Sequence, residues 1–92
     1  MIQRIFTVFD SKADAYLVPF FQQSAGVALR IFEDLANDPE HQFFRHPEDF
    51  TLFSLGTYDD QNASFDLDKT PSPLAKAIEV KRELTHHLEQ RS

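Results

Sequence analysis

Two short stretches, IQRIFTVF (residues 2–9) and DFTLFSLGTY (residues 49–58), constrain the fold most, because each is dense in β-branched and aromatic residues and free of proline. In the first, Ile2, Phe6 and Val8 alternate onto one face, while Ile5 and Phe9 fall on the other. Apolar side chains on both faces predict a central strand, or an edge strand with a partner. In the second, Phe50 and Leu52 point one way and Phe53 and Leu55 the other, and Gly56 marks a bulge or a close backbone approach. DDQN at 59–62 is a turn cluster, and ASFDLD at 63–68 supplies a short third strand, so residues 50–68 read as a hairpin.

Between the two strands, Asp10 and Ser11 can cap a short turn, and Pro19 stops any long helix, leaving Phe20 and Phe21 on a packed connection. Ser24 is placed as the N-cap of AGVALRIFEDLAND. Its Ala25, Ala28, Ile31, Phe32 and Leu35 recur at helical spacing, and Asn37, Asp38 and Pro39 end it. Arg30 can pair with Glu33 or Asp34 on the wet side of that helix. Further on, Ser72 as N-cap and Pro73 at the first helical position predict a second helix to the end of the chain. Its apolar seam is Ala77, Val80, Leu84 and Leu88, narrow enough to dock on one groove of its own sheet or on a neighbouring copy. The expectation is an α+β fold: a three-stranded sheet in β-α-β-β order with one helix packed on it, then a C-terminal amphipathic helix. Residues 1–71 would form the core domain, and 72–92 a docking or oligomerisation helix.

Composition narrows the function classes. Without cysteine there is neither a disulfide framework nor a thiolate metal site. No apolar run is long enough to span a bilayer, and the polar first ten residues do not suit a signal peptide, so a cytoplasmic location is expected. Ten phenylalanines in 92 residues exceed what so short a chain easily hides, which predicts an aromatic surface facing a partner. Residues 1–71 hold five basic side chains against twelve acidic ones, a net of −7. Such a body is a poor general nucleic-acid coat and better suited to a basic protein surface.

The best catalytic candidates lie in HPEDFTLFSLGTYDD, residues 46–60. His46 and Asp49 can form an acid/base pair, and Glu48 with Asp59 and Asp60 can hold a divalent cation through oxygen ligands. Against that, Pro47, Glu48 and Asp49 suit a strand opening and Asp59 and Asp60 a turn, with roughly 20 Å of strand between the two groups. His86 and His87 diverge on a helix, whereas Glu83 and His87 share a face. With Gly26 and Gly56 the only glycines there is no phosphate loop, and no cofactor is expected. For single-stranded DNA, the candidate cations are Arg4, Lys12 and Arg30, beside Phe6, Phe9 or Phe53 as stacking faces. Core packing explains those rings more simply.

Several stretches together, VFDSKADAYLVPFF, ALRIFEDLANDP, HPEDFTLFSLGTYDD and PSPLAKAIE, resemble the small nonstructural protein of gokushoviruses, single-stranded DNA phages of the Microviridae. The likeness covers about residues 2–78 and stops short of the tail VKRELTHHLEQRS. It implies an early phage product made in the host bacterial cytoplasm and absent from the capsid. Such proteins are likened to the factor that turns duplex DNA synthesis towards single strands, and are often labelled DNA-binding. The resemblance brings no catalytic residues. The resulting expectation is a non-enzymatic factor of viral DNA replication, a homo-oligomer in contact with phage or host replication proteins and not with membrane. The alternatives are a single-stranded DNA-binding protein and, more weakly, a packaging or minor virion protein.

Overall fold

The computed structural model describes residues 1–82. Strand β1 (Ile2–Asp10) pairs antiparallel along its whole length with the later strand β4 (Phe50–Asp59). Its other edge carries β2 (Ala15–Tyr16) and β3 (Phe20–Gln22) in tandem. β1 is therefore central, and Ile5, Phe6, Thr7 and Val8 are all buried. The turn into β2 is held by Asp10, whose Oδ1 accepts the backbone N–H groups of Lys12 and Ala13, and Asp14 takes a φ of 55° to close it. Pro19 does not remove the chain from the sheet. Leu17 N–H donates to the Val8 carbonyl at 2.8 Å and the Thr7 hydroxyl to the Leu17 carbonyl at 2.7 Å, so the interruption stays fastened to β1.

β4 turns through residues 60–63 into β5 (Ser64–Lys76), giving the order β2-β1-β4-β5 with β3 also on β1. All pairings are antiparallel. The turn is stabilised by Asp59 Oδ1 accepting Gln61 N–H and Asn62 Oδ1 accepting Ser64 N–H. β5 is an exposed edge, and Asp66, Asp68, Lys69, Pro71 and Pro73 along it discourage strand addition by another chain. Three register shifts bend the ladder: Leu55 is skipped between Ser54 and Gly56 against β1, and Leu74 and residues 68–71 are skipped against β4. Gly56 sits at this point with a φ of 145°, where a Cβ would lie 2.2 Å from the Asp66 carbonyl oxygen. The expected close approach is thus present, and only glycine fits it.

Helix α1 (Ala25–Ala36) starts where expected, with Ser24 Oγ accepting Val27 N–H, and ends at Asn37. Ala28, Phe32 and Ala36 are fully buried, while Ala25, Leu29 and Leu35 pack at the margin. Sheet residues Phe6, Val8, Phe50 and Leu52 form the opposite wall, closed by Phe43 of the one-turn helix α2 (Gln42–Arg45). Phe43 bridges the layers, its ring centroid 5.4 Å from Phe32 and 4.6 Å from Phe50. After a 3-10 turn at Pro47–Asp49, the polypeptide enters β4.

Two expectations are corrected. Among the described residues the sheet has five strands and curls into half a barrel with three short helices, instead of three strands under one helix. The residue 15–22 segment is part of it because β1 offered a free hydrogen-bonding edge, which local composition does not reveal. The helix expected from Ser72 also starts later: Pro73 is in β5 opposite Phe53, and the single turn α3 covers Ala77–Val80. Proline tolerates an edge strand as well as a first helical turn, and pairing with β4 decides between them. Leu84, Leu88, Glu83, His86 and His87 lie outside the described residues.

Asn37 latches α3 to α1. Its Nδ2 donates to the Glu33 and Val80 carbonyls at 2.8 and 3.1 Å, and its Oδ1 accepts Arg82 N–H at 2.7 Å. The expected partner of Glu33, Arg30, is replaced by Arg82 at 3.6 Å. Lys81 Nζ donates to the Phe44 carbonyl and lies 4.1 Å from the Phe44 ring centroid. Asn37→Ala is expected to cost about 1–3 kcal/mol and to speed hydrogen exchange at the Arg82 amide, checked by urea denaturation and exchange NMR. Gly56→Ala combines a left-handed φ with a backbone clash, and a loss of about 2–5 kcal/mol is expected in the same denaturation experiment.

Candidate functional site

The strand pleat sorts side chains into two populations. Phe6, Val8, Phe50 and Leu52 face the helices, together with Phe20, whose ring lies 5.8 Å from Phe6. The intervening positions point to the opposite face, which no helix covers among the described residues. Register places Phe9 beside Tyr16, Thr7 beside Phe53, Ile5 beside Phe21, and Gln3 beside Tyr58, with Phe65 next to Tyr58 on β5.

The rings on this second face form two groups. At one end Phe9, Tyr16 and Phe53 meet at centroid distances of 4.8, 6.4 and 5.6 Å. At the hairpin end Tyr58 lies between Phe21, 5.6 Å away, and Phe65, 4.7 Å away. Tilted and edge-on arrangements such as these are favourable for aromatic pairs. The rings screen Ile5, which is buried yet stands outside the main core cluster. They are themselves open to solvent: Tyr16 is 50% exposed, Phe21 40% and Phe65 57%, with Leu67 beside them at 61%. Exposed apolar groups clustered in this way mark an interaction site more often than a solvated wall.

The residue 46–49 corner is built differently. His46 ends α2, Pro47 is buried at the first position of the 3-10 turn, and Asp49 N–H donates to the His46 carbonyl. The Asp49 carbonyl accepts Ser11 N–H at 2.9 Å, which ties the corner to the β1–β2 turn. One ligand atom from each of His46, Glu48 and Asp49 lies within 4.8 Å of the others. Together with Asp10, Lys12 and Gln42 they line a polar hollow of about 290 Å³. A hard cation takes six or more oxygen ligands, so with His46 and Glu48 exposed most of its shell would be water.

The structure therefore brings His46, Glu48 and Asp49 together and separates them from Asp59 and Asp60. The full length of β4, roughly 30 Å at strand rise, divides the two sets. Asp60 is engaged elsewhere: its Oδ1 accepts the Met1 ammonium at 2.6 Å, and that hydrogen bond holds its carboxyl below the usual carboxylate range.

The cations do not gather around the rings. Arg4 lies on the pleat side of Phe6, opposite Phe9 and Phe53, and Lys12 is beyond the far end of β1, roughly 25 Å of strand away. Arg30 is on α1. Phe6 is fully buried and offers no stacking surface, whereas Phe9 and Phe53 are half-buried on the helix-free face. Of the expected seam, Ala77 is fully buried and Val80 packs against the same core, so both dock within the chain.

Sequence reasoning missed Tyr16, Phe21, Tyr58 and Phe65 as members of one surface. Alternation in 50–59 and 64–67 contained part of that signal, but Tyr16 and Phe21 join the face only because their segment returns along β1. An apolar cleft of about 320 Å³ between α1 and the 17–20 segment, lined by Leu17, Val18, Ile31 and Leu35 among others, was not foreseen either.

If the acids of the corner frame the strand, Glu48→Gln changes the unfolding free energy by less than about 0.5 kcal/mol. Phe50→Ala, at the same strand opening, costs about 3–5 kcal/mol. Parallel urea titrations check the contrast.

A family model described as Phage ORF5 protein matches residues 3–80. No curated protein matches, and neither does any solved structure.

Proposed function

The chain belongs to the Phage ORF5 protein family, and from that premise we propose that it is a non-enzymatic accessory factor of phage DNA replication, acting through protein–protein contacts in the host bacterial cytoplasm. The observation that carries this reading is the sheet face that no helix covers among the described residues, where the rings of Tyr16, Phe21 and Phe65 stand partly in solvent. A surface that buries Phe21, Tyr58 and Phe65 against another polypeptide gains most of its energy from those rings. The reading includes the finer assignment to a gokushovirus, the switch towards single-stranded synthesis, homo-oligomerisation, and phage or host replication proteins as partners. The reading includes no membrane partner. Among the described residues no helix is long and apolar enough to cross one.

Direct binding of single-stranded DNA is the second reading, favoured by the same exposed rings, which are the kind of platform on which bases stack. The scarcity of cations on that face weighs against it, because single strands owe much of their affinity to phosphate neutralisation. A packaging or virion-associated role is a third, weaker reading, decided by mass spectrometry of purified particles.

Affinity purification from infected cells tests the first reading and is expected to recover replication proteins, whereas recovery of the chain alone counts against it. Anisotropy with a labelled oligothymidylate in low salt tests the second. Binding weaker than about 100 μM, unchanged by Arg4→Ala or Lys12→Ala, is expected; tight, salt-sensitive binding lost in those variants reverses the ranking.

A further inference from the structure

Register fixes what the open sheet face carries. Its paired positions on β1 and β4 are uncharged, Gln3, Ile5, Thr7, Phe53, Gly56 and Tyr58 among them, and on β5 they include Phe65, Leu67 and Pro73. Lys76, at the end of β5, is the one charged group at a paired position of this face among the described residues. The acids of the paired strands fall on the other side: Asp10 is opposite Phe50, Asp59 opposite Ile2, and Asp66 opposite Thr57, which itself stands against Arg4. In a chain of net charge −6, a face without carboxylates differs from the rest of the surface. Both tyrosines and four of the ten phenylalanines, Phe9, Phe21, Phe53 and Phe65, are on it.

We infer that this face is a two-fold interface on which a second copy of the chain packs, sheet against sheet, so that the rings of each copy cover those of the other. This specifies the homo-oligomer within the proposed function and rests on that reading. A two-fold contact brings a patch against the same patch on the partner, so a charged patch meets its like. Two copies of an acidic chain repel overall, and approach costs least across a surface without carboxylates. The other occupants are less well matched. A basic segment finds no acid at the paired positions, and a nucleic acid strand finds only Lys76 there to answer its phosphates. The size is sufficient as well. Four strands across and the nine residues of β1 along make roughly 19 by 30 Å, or 570 Å² per copy, at ordinary strand spacing and rise. The sum over two copies, about 1,100 Å², clears what a specific interface needs and suits a reversible dimer. Pro71 and Pro73 on β5 leave gaps in its row of N–H donors, so packing across the face is favoured over strand addition at the edge.

The test is sedimentation velocity on the full chain from about 1 to 200 μM, in low and in high sodium chloride, with acrylamide quenching of tyrosine fluorescence alongside. The chain has no tryptophan and both tyrosines lie on this face, so their emission reports its coverage. The expected result is a reversible dimer whose tyrosines become shielded as it forms. High salt is expected to tighten it, because salt screens the repulsion between two acidic copies. Phe65→Ser and Leu67→Asp, both at positions more than half exposed, are each expected to raise the dissociation constant about tenfold or more while circular dichroism stays unchanged. Ile78→Ser, at an exposed apolar position on α3, is expected to leave it as it was. A chain that stays monomeric overturns the inference, whether its tyrosines are open to acrylamide or shielded. So does a dimer loosened by salt, which marks an ion-paired interface, or shielding of the tyrosines by oligothymidylate where the chain alone is monomeric. A dimer that Ile78→Ser dissolves and Phe65→Ser leaves intact also overturns it, but spares the homo-oligomer reading. A dimer through this face that recovers no replication protein from infected cells leaves the inference standing and fails the wider reading.

Discussion

The antiparallel pairing of β1 with β4 is the constraint on which the rest of the structure depends. It joins strands some forty residues apart in the chain, and both hairpins are built outward from it. Because the pleat alternates, fixing this one register decides for every residue of both strands whether it meets the helices or the opposite face. The shift at Leu55 belongs to the same arrangement: it bends the ladder beside Gly56, where β5 approaches too closely for any Cβ. Curvature, register and the glycine requirement are thus one feature.

From that register two surfaces with different duties follow. The helix side is closed by stacking, with Phe32, Phe43 and Phe50 in successive contact and Asn37 and Lys81 fastening the end of the described chain over the top. The three rings are almost wholly buried, and among the described residues no buried side-chain polar atom lacks a partner. Among the described residues the other side is covered only by its own rings. A small chain with one modest helix layer cannot enclose both faces of a sheet, so the second face is stabilised in isolation by ring–ring contact and completed by whatever binds it. The unusual phenylalanine content is divided between these two tasks.

This division also explains why the chemistry-bearing residues lead to no shared centre. His46, Glu48 and Asp49 converge because a 3-10 turn has to be made before β4, with Pro47 buried beneath it and Asp49 bonded back to Ser11. Asp59 and Asp60 belong to the opposite end of the same strand. The candidate cations are dispersed: Arg4 and Arg30 lie on the helix side of the sheet, and Lys12 on the turn beyond β1.

Local signals determined a good deal. Ser24 and Asn37 bounded α1 because a cap is satisfied within a few residues; 2–9 and 50–58 were strands because their side chains alone favour a pleat; Gly56 announced its close approach because no other residue has its backbone freedom. The fold class nevertheless came out as α+β with three strands, and the five-stranded curled sheet was decided by pairing. The 15–22 segment and the 69–76 half of β5 have proline-interrupted, mixed compositions that suit a connection or a helix start equally well. They became strands because β1 and β4 presented unsatisfied backbone edges, and hydrogen bonds across a sheet are contributed by residues far away in the chain. The aromatic face was beyond local reading for the same reason: the sequence could count its phenylalanines, but only the register of distant strands could set Phe21, Tyr58 and Phe65 side by side.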